Sequence, residues 1–488
     1  MRSHFTWIDY SVIAIYIFFS IYIGLRSSKK STDSDDYFLG GRQQHWFPVS
    51  ISIISAELSA ISYMGVPGWV YEKDLSYFMF TFLFPVVIFV IIRLFIPIYR
   101  KLKLVSVYEY LEKRYNLYVR AFTAFLFILL RVGHMATAIY APSLVLQEIA
   151  GIPLIPSIAI IGAAVTLYTL KGGIRAVIWT DFMQFFVLIG GAVVILLFAL
   201  AALNWDFGYM WRMAGDHTKM FNFSFDLHEE ITVWALASNH AVFYMTNYAT
   251  DQVVAQRYFT TGSEKETRKA MMTSAYITVP VVALLMLIGV ALTAYYAVHP
   301  ELARSLTRAD RIMPHFAVNV LPVGAKGLLI AGIFAATMSV ISAGVNSLSA
   351  VLLKDFLIRF GLTKSEREVA HARWVTLGFG LVITATAFFV NQLGPVVAAF
   401  GKLSSFFMGP ICAFFLLGVI SKRANSGGVI TGAVAGLLAT VWVANFTSIS
   451  WLWWIVVGFL VSMGVGWTVS WFFQKPTKVQ IAQYTVRS

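Results

Sequence analysis

Charged side chains are scarce in this sequence: Asp, Glu, Lys and Arg make up 12% of 488 residues, against about a quarter in soluble domains. A chain that is 58% hydrophobic carries more apolar surface than one water-soluble core of its size could hide, which excludes a soluble enzyme and a disordered regulator. Cysteine is nearly absent. The single Cys412 lies in an apolar run, so neither a disulfide framework nor a cysteine metal site is available. No basic, aromatic-interleaved soluble stretch occurs either, so the net charge of +13 does not point to nucleic acid. The charges sit in short loops between apolar runs, where they bear on membrane orientation.

What the sequence has in abundance is apolar runs of bilayer length, roughly 20 residues each. Thirteen are read, at about 6–26, 46–70, 76–98, 117–147, 153–170, 178–203, 231–256, 271–297, 326–353, 374–394, 396–421, 428–447 and 450–473. The first is preceded only by Arg2, lacks a small-residue cleavage site and is followed by Arg26, Lys29 and Lys30, which does not fit a secretory signal. It is expected to remain as a helix. Most of the 37 Lys and Arg fall in alternate loops, among them Arg100, Lys101, Lys113, Arg114, Arg257, Arg268 and Lys422. Retained positive charge marks the cytoplasmic side, so the N-terminus is expected outside and the C-terminus inside a multi-pass protein of the cell inner membrane. The longest outer loops, about 204–230 and 298–325, are too short to bury a core. Residues 1–488 are therefore expected to form one membrane domain that acts within its helix bundle.

Three runs are too polar for ordinary lipid-facing helices. The second carries serines at 50, 52, 55, 59 and 62 and a carboxylate at Glu57. Helix unwinding there would free carbonyl oxygens for a cation, whereas small residues also serve close helix packing. An intramembrane carboxylate is costly and is by default a functional candidate, with a structural charge pair as the alternative. The seventh run, through Asn239, His240, Thr246, Asn247, Thr250 and Asp251, crosses in the opposite direction five helices later. Interrupted helices of opposite direction at corresponding positions are the pattern of an inverted repeat with its site at the midplane. His240 reads more simply as a satisfied core histidine. In the ninth run Ser339, Ser342, Asn346 and Ser349 share one helical face. Such an oxygen stripe suits a hard cation or helix packing. Arg131 and His134 on the fourth run, Asp181 on the sixth and Lys402 on the eleventh are further embedded ionisable groups.

These segments join others in a familiar order: Asp36-Tyr-Phe-Leu-Gly-Gly41, Tyr99-Arg-Lys-Leu-Lys103 with Ser106-Val-Tyr-Glu-Tyr110, the run from Gly172 to Gln184, the run from Thr250 to Tyr258, and Gly409-Pro410 followed by Lys422-Arg423. Each is weak alone, but in this order the chain resembles the sodium:solute symporter family over nearly its full length, and within it the bacterial sialic acid carriers. The resemblance implies an all-α fold of 13 transmembrane helices with a LeuT-like five-plus-five inverted repeat. The repeats would be 46–203 and 231–421, preceded by an extra helix at 6–26 and followed by two helices at 428–473.

It implies a first sodium site made by backbone oxygens of Ser55, Leu58 and Ala336 and the Ser339 hydroxyl. A further hydroxyl is expected from the next residue, which here is Val340. A second sodium site would use Asp181, Ser339 and Ser342, with Ala343 where another serine is expected. Glu57, Ser59, Ser62, Tyr77, Thr81, His134 and Lys402 would surround the solute. His134 stands where that subgroup holds an arginine for the sialate carboxylate, leaving Arg131 or Lys402 to take that role. The expected function is secondary active, sodium-coupled symport of a sugar or sugar acid by alternating access. Proton coupling through a Glu57–Lys402 pair, or uncoupled transport, is the alternative. A channel would present symmetric filter loops and an enzyme a catalytic constellation; neither pattern appears. Small solute and lipid are the expected partners, nucleic acid is not, and a monomer is expected.

Overall fold

The computed structural model describes residues 6–27, 34–169, 173–304, 306, 308–363, 368–393 and 396–486; Lys29, Lys30 and Gly172 lie outside them. All thirteen apolar runs carry helix, because within a bilayer each backbone N–H and C=O must be paired inside its own segment. Among the described residues eight helices are long and apolar enough to cross a membrane, and a ninth span is counted if a pair bent by 61° is one unit.

The elements that build the site are α1 (Trp7–Ser27), α2 (Trp46–Glu57), α3 (Ala60–Glu72), α4 (Leu83–Leu94), α5 (Leu117–Ala150), α6 (Leu154–Thr169), α7 (Ile174–Ala202), α8 (Val233–Met245), α9 (Gln252–Phe259), α10 (Glu264–Val298) and α11 (Ala325–Val351). After them come α12 (Glu368–Ala387), α13 (Val396–Ile420), α14 (Ser426–Phe446) and α15 (Trp454–Val469). The span built on α11 is 89% buried, whereas that of α1 is only 17% buried, so α11 is the axis of the bundle and α1 its lipid-facing margin. α11 packs on α7, α5 and α1, and α2 packs on α7 and α10.

The marginal helix is nevertheless tied to the axis. The Asp9 carboxylate accepts from Gly324 N at 2.8 Å and Gly327 N at 3.0 Å, capping the start of α11 from another chain segment. A Cβ at position 327 would lie 2.6 Å from Asp9 O, so the close approach requires glycine there. α14 and α15 form a hairpin through Gly428, Gly432 and Gly436, which meet Ser462 and Gly466 at distances a side chain would fill. Small-residue packing of this kind joins helices where no hydrophobic force acts between them.

Two of the positive charges assigned to loops are not loop charges. Arg114 is fully buried and donates to Gly418 O and Ser421 O at 2.9 and 2.7 Å. Arg257 is fully buried against Asp181 at 2.8 Å. Both guanidiniums pair with protein groups instead of facing the membrane surface, because their neighbours come from helices far away in sequence.

Candidate functional site

The second apolar run breaks at Leu58 and Ser59, between α2 and α3. Leu58 N closes α2 onto Ile54 O at 2.8 Å, and the Ser59 hydroxyl caps α3 by accepting from Ile61 N at 3.2 Å. A helix that stops inside a bundle leaves carbonyl oxygens needing partners. Ser55 O finds one on α11: the Ser339 hydroxyl donates to it at 2.7 Å and also lies 3.3 Å from Ala336 O. Thus the oxygens of Ser55, Ala336 and Ser339 converge, and their chemistry fits a hard monovalent cation. Val340 and Ala343 are buried and offer no side-chain oxygen.

The seventh run is also interrupted. α8 passes into a π turn over Thr246–Thr250, Asp251 is extended at φ −88° and ψ 128°, and α9 restarts at Gln252. One Asp251 oxygen caps α9 by accepting from Val253 N at 2.7 Å; the other accepts from Arg131 Nε at 2.7 Å. Arg131, on α5, also donates to Glu57 Oε1 at 3.0 Å and bonds His134 Nδ1 at 2.8 Å. A single guanidinium therefore links the end of α2 to the start of α9. Its planar fork spreads donors toward three separated acceptors, a spacing that the compact ammonium of lysine does not reproduce.

Beside this bridge lies a cavity of about 150 Å³ lined by Glu57, Leu58, Ser59, Ser62, Tyr77, Thr81 and His134. Trp69, Phe243, Tyr244 and Tyr248 complete its aromatic wall. Six of the eight residues expected around the solute thus meet in one place. Arg131 stands behind the lining. Lys402 is exposed, outside the lining, and close enough to Glu230 to act on its carboxyl. The partner of Glu57 is therefore Arg131 and not Lys402, contrary to the pairing expected for proton coupling.

Asp181 Oδ2 accepts from Ser52 Oγ at 2.6 Å and from Arg257 at 2.8 Å, while Oδ1 is buried with no hydrogen-bond partner among the described residues. The unpartnered oxygen suits a cation, but the guanidinium already balances the carboxylate's charge. Ser342 Oγ donates to Ser339 O at 3.1 Å. His240 Nδ1 donates to Leu236 O at 2.9 Å among aromatic rings, which fits a core histidine. Asp251, at the end of the polar stretch in the seventh run, has no role assigned by sequence pattern alone. The rule that an intramembrane carboxylate needs a named partner would have singled it out.

At the end of the bundle reached by α3, Lys73 pairs with Glu230 at 2.6 Å, and Glu230 also accepts from Trp451 Nε1 at 3.1 Å. Partial burial would raise the Glu230 carboxyl, but the bonds from Lys73 and Trp451 outweigh it and hold it below its ordinary 4.5. The bond from Glu230 raises Lys73 above its ordinary 10.5. The carboxylate's contribution to stability is present above 4.5 and lost as pH falls through its depressed value; the ammonium's is present below 10.5 and lost as pH rises through its raised one. Glu230→Gln is expected to lower the unfolding midpoint by a constant small amount between about pH 5 and pH 9, worth under about 1 kcal/mol for so exposed a pair. Thermal unfolding across that range checks it, and a difference that grows toward pH 9 would contradict the assignment.

Residues 37–436 match the sodium:solute symporter family. The chain is 30% identical over 479 residues to the sodium/sialic acid symporter NanT of Aliivibrio fischeri, covering 96% of this chain and 94% of that protein. It is 32% identical to the sodium-dependent multivitamin transporter of Oryctolagus cuniculus, over 91% of this chain and 71% of the relative. A solved structure of the substrate-bound, outward-open state of a Na+-coupled sialic acid symporter superposes with a TM-score of 0.90 at 28% identity, covering 97% of this chain and 99% of that one. The protein belongs to the sodium:solute symporter family. It is an all-helical, multi-pass membrane transporter that couples a small solute to sodium, and not an enzyme.

Proposed function

We propose that the protein accumulates a sugar or sugar derivative, in the size class of the sialic acid named for its relatives, by sodium symport with alternating access. The observation that carries this reading is the Ser339 hydroxyl on Ser55 O at 2.7 Å, at a helix break that opens onto the lined cavity. Sodium held by Ser55, Leu58, Ala336 and Ser339 would bridge α2 to α11, while solute lies across the break against Glu57, Ser59, Ser62, Tyr77, Thr81 and His134. Each ligand then favours the state that holds the other, because coupling between sites is reciprocal. Asp181, Ser339 and Ser342 form the candidate second sodium site. Arg131 acts by positioning Glu57 and His134, and Lys402 stands at the approach beside Glu230.

In this reading the thirteen helices form the LeuT-like five-plus-five frame, with repeats at 46–203 and 231–421, helix 6–26 before them and 428–473 after. The N-terminus faces outward and the C-terminus the cytoplasm of the cell inner membrane, and the monomer is the working unit. Proteoliposome uptake at clamped pH tests the coupling. Accumulation is expected with an inward sodium gradient and lost when choline replaces sodium; accumulation driven by a pH gradient in choline would instead assign coupling to the proton.

A further inference from the structure

The cavity's charge bears on which solutes it accepts. Among the described residues that line it there is no lysine or arginine, and Glu57 carries the formal charge of that wall. The Glu57 side chain retains 14% exposure, whereas that of Arg131 retains 2%. The carboxylate, and not the guanidinium, therefore faces the solute. Arg131 is already bound to Asp251, His134 and Glu57, so a solute carboxylate could reach it only by displacing one of these.

The surrounding groups do not compensate. Glu57 and Asp251 share the single guanidinium of Arg131, while Asp181 and Arg257 balance each other. These five groups comprise three carboxylates and two guanidiniums, an excess of one negative charge that one bound sodium ion would offset. A solute carboxylate would add an uncompensated anion to a poorly solvated interior, where an unpaired charge is expensive. An ammonium group would meet Glu57 in a charge-assisted hydrogen bond.

The remaining lining suits hydroxyls. Because a guanidinium only donates, His134 Nδ1 must accept from Arg131, which places the ring proton on Nε2 as a donor. Trp69 Nε1, on the same cavity, is buried with no hydrogen-bond partner among the described residues. An indole N–H of this kind awaits an acceptor such as a solute oxygen, and the rings of Tyr77, Phe243 and Tyr244 offer apolar faces beside it.

We infer that this cavity takes uncharged or amine-bearing sugars in preference to sugar acids, and that Glu57 sets the preference. The inference rests on the reading of the cavity as the solute site of a sodium symporter. The test is sodium-dependent binding and uptake by the purified full-length protein with matched probes on glucose, galactose and mannose frames: the hexose, the 2-amino sugar and the uronate, with N-acetylneuraminate beside them. The neutral and amino members of at least one frame are expected to bind tenfold or more tighter than its uronate, about 1.4 kcal/mol. Glu57→Gln is expected to reduce the advantage of amine over uronate at least tenfold, and His134→Arg to strengthen binding of uronate or N-acetylneuraminate. Wild-type protein that binds uronate or N-acetylneuraminate as tightly as the neutral sugar overturns the inference, whatever the variants do. If no probe binds while sodium still drives uptake of some other solute class, the sugar reading itself fails and takes the inference with it.

Discussion

Arg131→Met is expected to abolish solute accumulation and to lower the stability of the purified protein by about 3–5 kcal/mol, the usual cost of removing one partner from a buried ion pair. The reason is local. Asp251 and Glu57 accept from the same guanidinium at 2.7 and 3.0 Å, and without it two carboxylates would remain close together and poorly solvated. Because those carboxylates terminate the interrupted halves of two different runs, their separation would also misplace the break at Leu58 and the restart at Gln252. Arg131→Lys should retain more stability than Arg131→Met but not the coupling, since one ammonium cannot reproduce the fork that holds Asp251, Glu57 and His134 together. Asp251→Asn added to Arg131→Met should recover part of the stability without restoring uptake. Thermal unfolding in detergent and uptake in proteoliposomes measure the two effects separately. Wild-type accumulation by Arg131→Met would show that the bridge is dispensable.

Ser339→Ala is expected to raise the sodium concentration for half-maximal uptake at least tenfold, a loss of about 1.4 kcal/mol in sodium binding. The hydroxyl removed is the group that meets Ser55 O at 2.7 Å and lies 3.3 Å from Ala336 O, so the change takes one oxygen from the set and leaves the apolar packing nearly intact. Solute affinity measured in sodium should fall with it, because the coupling free energy is the same seen from either ligand. Val340→Ser is the companion change. It supplies the hydroxyl that the family pattern expects beside Ser339 and is expected to lower half-saturating sodium several-fold. If neither variant moves the sodium dependence, the ion is held elsewhere.

The helical runs were legible because bilayer thickness and the demand for internal backbone pairing act on each segment separately. The break in the second run was legible for a related reason: serines at 55 and 59 around Glu57 are costly in an unbroken lipid-facing helix, and that cost is a property of the segment. Lys402 lies in an apolar run and reads as embedded, yet α13 leaves its side chain exposed near Glu230. Arg114 and Arg257 depart from expectation in the opposite sense. Arg114 just precedes one apolar run and Arg257 just follows another, so both read as loop charges, yet folding buries them against α13 and α7. A charge near the end of a run carries no local mark of which way it will face.

The sequence by itself determined that this chain is a bundle of membrane helices with polar interruptions at Glu57 and Asp251, because hydropathy and helix-breaking cost are summed over neighbouring residues. Only the tertiary structure decided that Arg131 joins those interruptions, since its partners lie 74 and 120 residues away. The same holds for the face of the cavity that carries charge. Which buried ion meets which is fixed by helix packing across the whole bundle, and no stretch of sequence contains that information alone.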